Sequence, residues 1–273
     1  EIMKLFTIAK IEIKKSFKAT FILSLFMGLF VILIVSIFDP ELFEGLEEIM
    51  DQYPDAIKDM LGSALDLGTI GGFYTIEFLS MIWIWLGIYF ILKAGQDIPA
   101  TIDNKTIDLV LSKPLKRWEF ILGRYMRFIF SILLVILFIG ITTFIMLEIS
   151  PNLQEQEIDY SEFFWALTWA FLFVVSLTTT AFFFSVFLNR KRATSLAFGM
   201  MILFFILGTY YSYFEEDIQE IKRISLFFYY DPARILVSHS YENVLRDFLM
   251  LSGYSVVMVI TSIVIFNKRD IPV

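Results

Sequence analysis

Apolar residues along the chain fall into six long runs that polar segments separate. Each run has about 20 residues, the length of helix that crosses a bilayer core about 30 Å thick, and none contains proline. The pattern predicts an all-α polytopic membrane protein, with six transmembrane helices in one domain over residues 1–273. The predicted spans cover residues 19–38, 73–92, 128–147, 163–188, 194–214 and 248–266.

The segment before the first span is amphipathic. On a helix, Leu5, Phe6 and Ile13 fall on one face, and Lys10 and Lys14 fall on the opposite face. We expect residues 1–18 to form a helix that lies in the membrane interface, with its lysines near anionic headgroups. A helix packed on a soluble partner is the alternative. The apolar run that follows is too long for a signal-peptide core, so we expect a retained first span.

Three segments connect the spans on the side of the membrane opposite the N-terminus, at about 39–72, 148–162 and 215–247. The first is long and acidic, and its apolar residues recur at helical spacing on both sides of Pro54. We expect one or two short helices that rest on the outer membrane surface or on the bundle. Their carboxylates favour a solvated polar face, and cation capture is the alternative.

Composition supports the membrane class. Hydrophobic residues make up 58% of the chain and charged residues 19%, whereas soluble domains are about 45–50% apolar and about 25% charged. The mean hydropathy is +0.72. There is no cysteine, which excludes disulfides, cysteine-ligated zinc and iron–sulfur clusters.

The charges are segregated along the chain. Of the 22 lysines and arginines, 17 fall in the N-terminal segment, the loop at about 93–127, the turn at 189–192 and the C-terminal tail. Of the 29 acidic residues, 22 fall on the other side when Glu77, near the outer end of span two, is counted there. Basic loops stay in the cytoplasm. We therefore expect a multi-pass protein of the plasma membrane with both termini cytoplasmic.

The loop between spans two and three is both basic and partly apolar. Pro114 interrupts it, and the residue before a proline disfavours helical geometry. A short helix at about 104–112, a sharp turn and a new helix into span three fit this pattern. Ile107, Val110 and Leu111 give the loop apolar surface to bury, so we expect it to dock on another protein.

The run from Asp103 to Arg117 resembles the signature loop of ABC-2 type transporter permeases. That loop has an acidic residue, Gly-Thr, a short apolar stretch, Leu-Ser, a variable residue, Pro and a basic residue. The matching residues are Thr106, Asp108, Leu111, Ser112, Pro114 and Arg117. The chain departs by having Asp103 where Glu is usual and Lys105 where Gly is usual. The tail at 266–271 is also similar to family tails, which end in a basic-basic-acidic-aliphatic pattern.

The resemblance implies a dimer of six-span subunits, either two copies of this chain or a pair with a related chain. Two ABC ATPase subunits beneath the dimer would carry ATP and Mg. The loop centred on 97–119 would couple them to the spans and drive alternating access, and short outer helices would dip toward the membrane, where Leu226–Tyr230 is apolar enough. The implied ATPase-coupling residues are Asp103, Lys105, Thr106, Asp108, Leu111, Ser112, Lys113, Pro114, Lys116 and Arg117.

The chain itself has no Gly-x-x-x-x-Gly-Lys-Ser/Thr phosphate loop. We therefore expect a transport subunit rather than an enzyme, with no cofactor or metal of its own and no nucleic-acid partner. A membrane-embedded hydrolase is one alternative, but a single histidine builds no catalytic constellation. A secondary transporter or channel is the other, although such proteins often have broken helices or midplane charges, and these spans read as intact and nearly uncharged.

Three further features have a functional and a structural interpretation. Glu77 lies about one turn inside the outer end of span two, where it either belongs to a substrate path or reaches water. A polar patch at Ser176 and Thr178–Thr180 in span four favours helix packing over a substrate path. His239, in the outer segment near Asp231 and Glu242, favours a surface residue over a metal site.

Overall fold

Six long helices dominate the structure, a computed structural model that describes residues 2–43, 67–104, 116–154, 156, 158–214 and 216–269. They are α1 (Ile2–Ile37), α2 (Ile70–Asp103), α3 (Arg117–Ile149), α4 (Tyr160–Phe187), α5 (Arg190–Thr209) and α6 (Val244–Lys268). The described residues are 86% helical and include no strand, and all six helices are long and apolar enough to cross a membrane. The predicted fold class is confirmed.

The two ends of the bundle differ in charge. Helices α1, α3 and α5 begin, and α2, α4 and α6 finish, at the end that carries most of the lysines and arginines. We call this the basic end and the opposite one the acidic end. The cytoplasmic position of the basic end stays a prediction.

The helices continue beyond the apolar runs at the basic end. Helix α1 has 36 residues and joins residues 2–18 to span one without interruption. At about 1.5 Å per residue it is about 54 Å long, well beyond the hydrocarbon thickness of a bilayer. Helix α3 likewise begins at Arg117, far ahead of residue 128. Polar residues complete backbone hydrogen bonds as well as apolar ones, so helix ends do not mark membrane boundaries, and the span limits and the interfacial position of residues 1–18 stay predictions.

Helix α4 forms the centre of the bundle. Of its most apolar stretch, 72% is buried inside the protein, compared with 22% for α5 and for α6. It packs against α2, α3, α5 and α6, whereas α1 packs mainly along α3. Trp169, Phe173 and Phe182 of α4 are fully buried. The outer faces of the other helices remain available for lipid or for partner subunits.

Helix α2 is not a regular α-helix, which corrects the expectation that all spans are intact. Two segments, Thr75–Leu79 and Trp83–Gly87, are π-helical. In the first, the Ser80 amide donates to the Thr75 carbonyl, five residues back. Such widened turns often occur at functional sites. Hydropathy reports only how apolar a run is, so the sequence pattern gave no sign of them.

The segment between α5 and α6 folds back into the bundle. It contains 3₁₀ helices at Tyr211–Tyr213, Glu216–Ile224 and Phe227–Tyr229 and a short α-helix at Ala233–Leu236. Tyr230 stacks on Phe173 of α4, with ring centroids 4.2 Å apart, and its hydroxyl donates to the Leu79 carbonyl of α2 at 3.0 Å. The run Leu226–Tyr230, whose composition suggested a dipping segment, therefore fills space between α2 and α4.

The connection at the acidic end between α3 and α4 holds both ends of the first outer segment. Asn152 donates to the Phe38 carbonyl at 2.7 Å, and the Gln156 side chain bonds the Gly68 carbonyl and the Ile70 amide. A 3₁₀ turn at Pro40–Phe43 follows α1. The short helices predicted within 39–72 fall largely on residues 44–66, outside the described residues.

Candidate functional site

The predicted coupling loop enters and leaves the bundle at the basic end. Asp103 is the last residue of α2, is exposed, and is followed by Asn104 as C-cap. Lys116 is the N-cap of α3, and Arg117 is its first residue. The other predicted coupling residues lie outside the described residues: Lys105, Thr106, Asp108, Leu111, Ser112, Lys113 and Pro114. The structure therefore defines the two helix ends that border the loop.

Arg117 links the start of α3 to the end of α6. Its guanidinium donates to the carbonyls of Phe266, Asn267 and Arg269 at 3.4, 3.2 and 2.8 Å. The last carbonyls of a helix lack intrahelical partners and carry partial negative charge, so an arginine there is favourable. Arg269 in turn donates to the Val186 carbonyl near the end of α4. The basic residue that closes the loop motif thus joins three helix ends.

The first turn of α3 is capped from within. The Glu119 carboxylate accepts a hydrogen bond from the Lys116 amide at 2.8 Å, and Glu119 is buried. A glutamate three residues after the N-cap satisfies an amide that the helix leaves unpaired and interacts favourably with the helix dipole. This cap fixes where the loop becomes helix.

A buried ionic cluster joins α1, α2 and α3 about two turns deeper. Asp97 of α2 accepts from Arg124 at 2.9 Å and from Arg127 at 2.7 Å, both on α3. Glu12 of α1 pairs with Arg127 at 3.3 Å and with Arg124 at 3.8 Å. Lys15 adds a contact to Glu12 at 2.7 Å from its more exposed position. We call Glu12, Asp97, Arg124 and Arg127 the ionic cluster.

The ionic cluster makes these three helix ends one mechanical unit. Its four side chains are each at most 14% exposed. Removing one partner from a buried ion pair leaves an uncompensated charge and costs about 3–5 kcal/mol, although the intact pair adds little net stability. The cluster is not fully saturated, since Asp97 Oδ2 and Arg124 Nε have no hydrogen-bond partner among the described residues. It is therefore better suited to fix register and orientation than to maximise stability.

Sequence reasoning placed Arg124 and Arg127 in the basic loop and did not predict this cluster. A signal was present, because Glu12 is the one acid among residues 2–18, which carry five lysines. Asp97 similarly stands at the end of an apolar run, where an unpaired carboxylate would be costly. Neither signal names the partner, which depends on how α1 and α2 pack against α3.

Glu77 lies in the first π-helical segment of α2 and is exposed. Thr75 and Phe78 beside it are buried in the bundle. The irregular turn thus presents the Glu77 carboxylate on the outer surface of the protein, near the acidic end. This position agrees with either interpretation of Glu77, and its place in a substrate path stays a prediction.

The polar patch of α4 is part of the helix packing. Thr178, Thr179 and Thr180 each donate to a carbonyl four residues earlier, and all are buried. Thr179 also bonds the Tyr125 hydroxyl of α3, and Thr180 bonds the Tyr254 hydroxyl of α6. The hydroxyls connect the central helix to its neighbours, as predicted.

His239 is exposed, as predicted for a surface residue, but its partner is not the one that sequence proximity suggested. Its Nδ1 lies 2.8 Å from the Glu162 carboxylate in the first turn of α4. Both residues border an open cavity of about 760 Å³ at the acidic end, beside Asp159. A hydrogen bond from Ser161 lowers the pKa of the Asp159 carboxyl. The described residues contain no group of three metal-ligating side chains.

The fold and these contacts define a class of protein, a multi-pass helical bundle of the membrane with a buried ionic cluster at its basic end. The profile of the ABC-2 family transporter proteins matches residues 6–271, nearly the whole chain. The chain therefore belongs to this family and is a transmembrane transport subunit, which associates with ABC ATPase subunits in a membrane. A comparison with curated protein sequences finds no match.

Proposed function

We propose that this chain is the permease subunit of an ATP-driven exporter and that the loop between α2 and α3 receives the force. The ionic cluster is the observation that carries the proposal. Asp97 lies six residues before the end of α2, Arg124 lies seven residues after the start of α3, and Glu12 extends the connection to α1. A displacement of the loop would therefore move α1, α2 and α3 together.

Arg117 provides a second contact through which a displacement of the loop would reach another helix. Through the carbonyls at the end of α6 it connects the loop to the helix that follows the inward-folded outer segment. In the proposed cycle, ATP and Mg bind to two separate ATPase subunits, which close and push on the loop. The helices of two permease subunits, identical or related, then rearrange so that the path opens outward.

Co-purification tests this proposal most directly. The chain is co-expressed with candidate ABC ATPase subunits, extracted in detergent and isolated through a tag on the chain alone. We expect one ATPase to be retained, and we expect Pro114→Ala and Arg117→Ala to lower the retained amount. The sequence predicts that Pro114 makes the turn of the loop, and Arg117 joins the start of α3 to the end of α6.

Lys191→Ala is the matched control, because Lys191 is an exposed cation at the same end of the bundle, in the first turn of α5. The control should retain the ATPase as the unmodified chain does. Size-exclusion chromatography of each variant alone separates a lost contact from a lost fold. Retention that is insensitive to both loop variants would contradict the coupling role of this loop.

An ATP-independent secondary transporter is a second candidate, and one observation favours it. The π-helical turn that exposes Glu77 is the kind of irregular span that such transporters use near their binding sites. In that case the chain alone, reconstituted in vesicles, would move solute along an ion gradient without any ATPase. Glu77→Gln would then change the rate and its pH dependence, whereas Asp103→Asn would not.

A further inference from the structure

A second polar feature of the basic end remains unexplained by coupling. A cavity of about 320 Å³ opens between α1, α2 and α3, next to the start of α5. Its volume lies at the lower end of the range for small-molecule sites, about 300–1,000 Å³. Four cations line it, one from each helix: Lys15, Lys93, Arg127 and Arg190.

The charge of this cavity is unbalanced. Asp97 is the one carboxylate that the described residues contribute to its wall, and Arg124 and Arg127 already compensate it. Lys15 pairs with Glu12 just outside the wall. Even with both carboxylates counted, Lys93 and Arg190 contribute positive charge that no described acid neutralises.

Lys93 and Arg190 are the two cations available to a ligand. Among the described residues neither Lys93 nor the Arg190 guanidinium has an ion pair, and the Lys93 amine lies over the Tyr89 ring at 5.7 Å. Both side chains are exposed at the mouth of the cavity. Hydroxyl groups of Ser16, Tyr89 and Ser131 complete the polar part of the wall.

The unbalanced positive charge favours an anionic ligand, and the position of the cavity indicates where that ligand comes from. Lys93 directly follows predicted span two, Arg127 directly precedes span three, and Arg190 stands between spans four and five. These are the depths at which lipid headgroups lie. Basic pockets between transmembrane helices at a membrane surface bind anionic headgroups. Apolar surface continues from the cavity along α1 at Ile22 and Phe26, where acyl chains would pack.

We propose that this cavity is a phosphate-binding site, with Lys93 and Arg190 as its principal ligands, and that an anionic phospholipid of the adjacent leaflet supplies the phosphate. The site is independent of ATP-driven transport, because it requires only this chain and the membrane. It lies against the ionic cluster through Arg127 and Asp97, so a bound lipid would contact the same three helices that the cluster joins.

Native mass spectrometry of the purified full-length chain tests the site. The chain is titrated with phosphatidylglycerol and, in parallel, with phosphatidylcholine, and the bound lipids are counted. We expect one tightly bound phosphatidylglycerol. In Lys93→Gln/Arg190→Gln its association constant should fall about thirtyfold, because the variant removes two cations near the headgroup. The control Lys191→Gln/Arg192→Gln removes two positive charges from the turn that contains Arg190, outside the cavity, and should leave binding nearly unchanged.

A charge-retaining variant keeps the test meaningful if the glutamine variant unfolds. Lys93→Arg/Arg190→Lys should retain most of the binding. Inorganic phosphate is tested separately. The site would be assigned to free phosphate if phosphate stabilised the chain against heat, if the glutamine variant lost this stabilisation, and if the two lipids bound equally. The proposal would be overturned if the cavity and control variants lost lipid binding equally. It would also be overturned if the chain neither preferred phosphatidylglycerol to phosphatidylcholine nor responded to inorganic phosphate.

Discussion

Asp97 is the residue on which the ionic cluster depends most, because its carboxylate contacts both buried arginines. In Asp97→Ala the one carboxylate of the cluster left to these arginines is Glu12, 3.3 and 3.8 Å away, while Arg124 keeps its hydrogen bond to the backbone carbonyl of residue 97. Uncompensated buried charge is costly, so we expect the free energy of unfolding to fall by about 3 kcal/mol. Reversible unfolding in mixed micelles measures this change.

Asp103→Ala is the control for Asp97→Ala, since it removes an exposed carboxylate from the same helix. Exposed substitutions of this kind usually change stability by less than about 0.5 kcal/mol. If both variants were equally stable, the ionic cluster would not be the contact that fixes α2 to α3.

Tyr230 tests the irregular part of α2 at the same scale. Its hydroxyl donates to the Leu79 carbonyl within the first π-helical segment. Tyr230→Phe removes only that hydroxyl and leaves a buried carbonyl unsatisfied, so we expect a loss of about 1–3 kcal/mol in unfolding free energy. Tyr241→Phe, at an exposed position, should be neutral. Equal effects of the two changes would mean that the hydrogen bond does not support the π-helical turn.

At the scale of elements, the contact between α5 and the inward-folded segment depends on Gly208. A Cβ atom there would lie 2.5 Å from Ser225 Oγ, 2.7 Å from Phe227 Cβ and 2.9 Å from the Phe228 amide nitrogen. We expect Gly208→Ala to displace the Leu226–Tyr230 run and to lower the free energy of unfolding by about 1–3 kcal/mol, the usual cost of overpacking. Limited proteolysis of the segment would report the displacement.

Gly199 of the same helix is the control for Gly208, because a Cβ at Gly199 would meet nothing within 4 Å. Alanine has a higher helix propensity than glycine, so Gly199→Ala should be neutral or gain up to about 1 kcal/mol. A Gly208→Ala variant that behaves like Gly199→Ala would show that the segment is not packed against α5 as described.

These elements also show what a sequence can predict. The six helices were predictable because a bilayer requires a run of apolar residues for each span. Hydropathy gives no sign of the helical stretch from Arg117 to Arg127, but the turn expected at Pro114 predicted a new helix leading into span three, and α3 begins at Arg117. The ionic cluster and the cavity beside it depend on the register of α1 and α2 against α3, which is a property of the packed molecule. The loop motif, by contrast, identified the family from its local residues.

At the scale of the whole molecule, the segregation of charge predicts which end faces the cytoplasm, and the absence of cysteine makes this testable. Ser238→Cys places one thiol at an exposed position of the acidic end, in the segment between α5 and α6, and Lys191→Cys places one at the basic end. Because basic loops are retained inside, a membrane-impermeant maleimide should label Ser238→Cys in intact cells and Lys191→Cys only after the membrane is opened.

The unmodified chain is the control for both thiols, since any labelling of it would come from another protein. Labelling of Lys191→Cys in intact cells would reverse the topology. The loop between α2 and α3 would then lie outside, away from any ATP, and the Arg117 and ionic-cluster contacts could not transmit force from an ATPase. The orientation of the chain therefore decides whether these contacts couple an ATPase to the helices or only stabilise the packing of the bundle. A single pair of labelling reactions distinguishes the two.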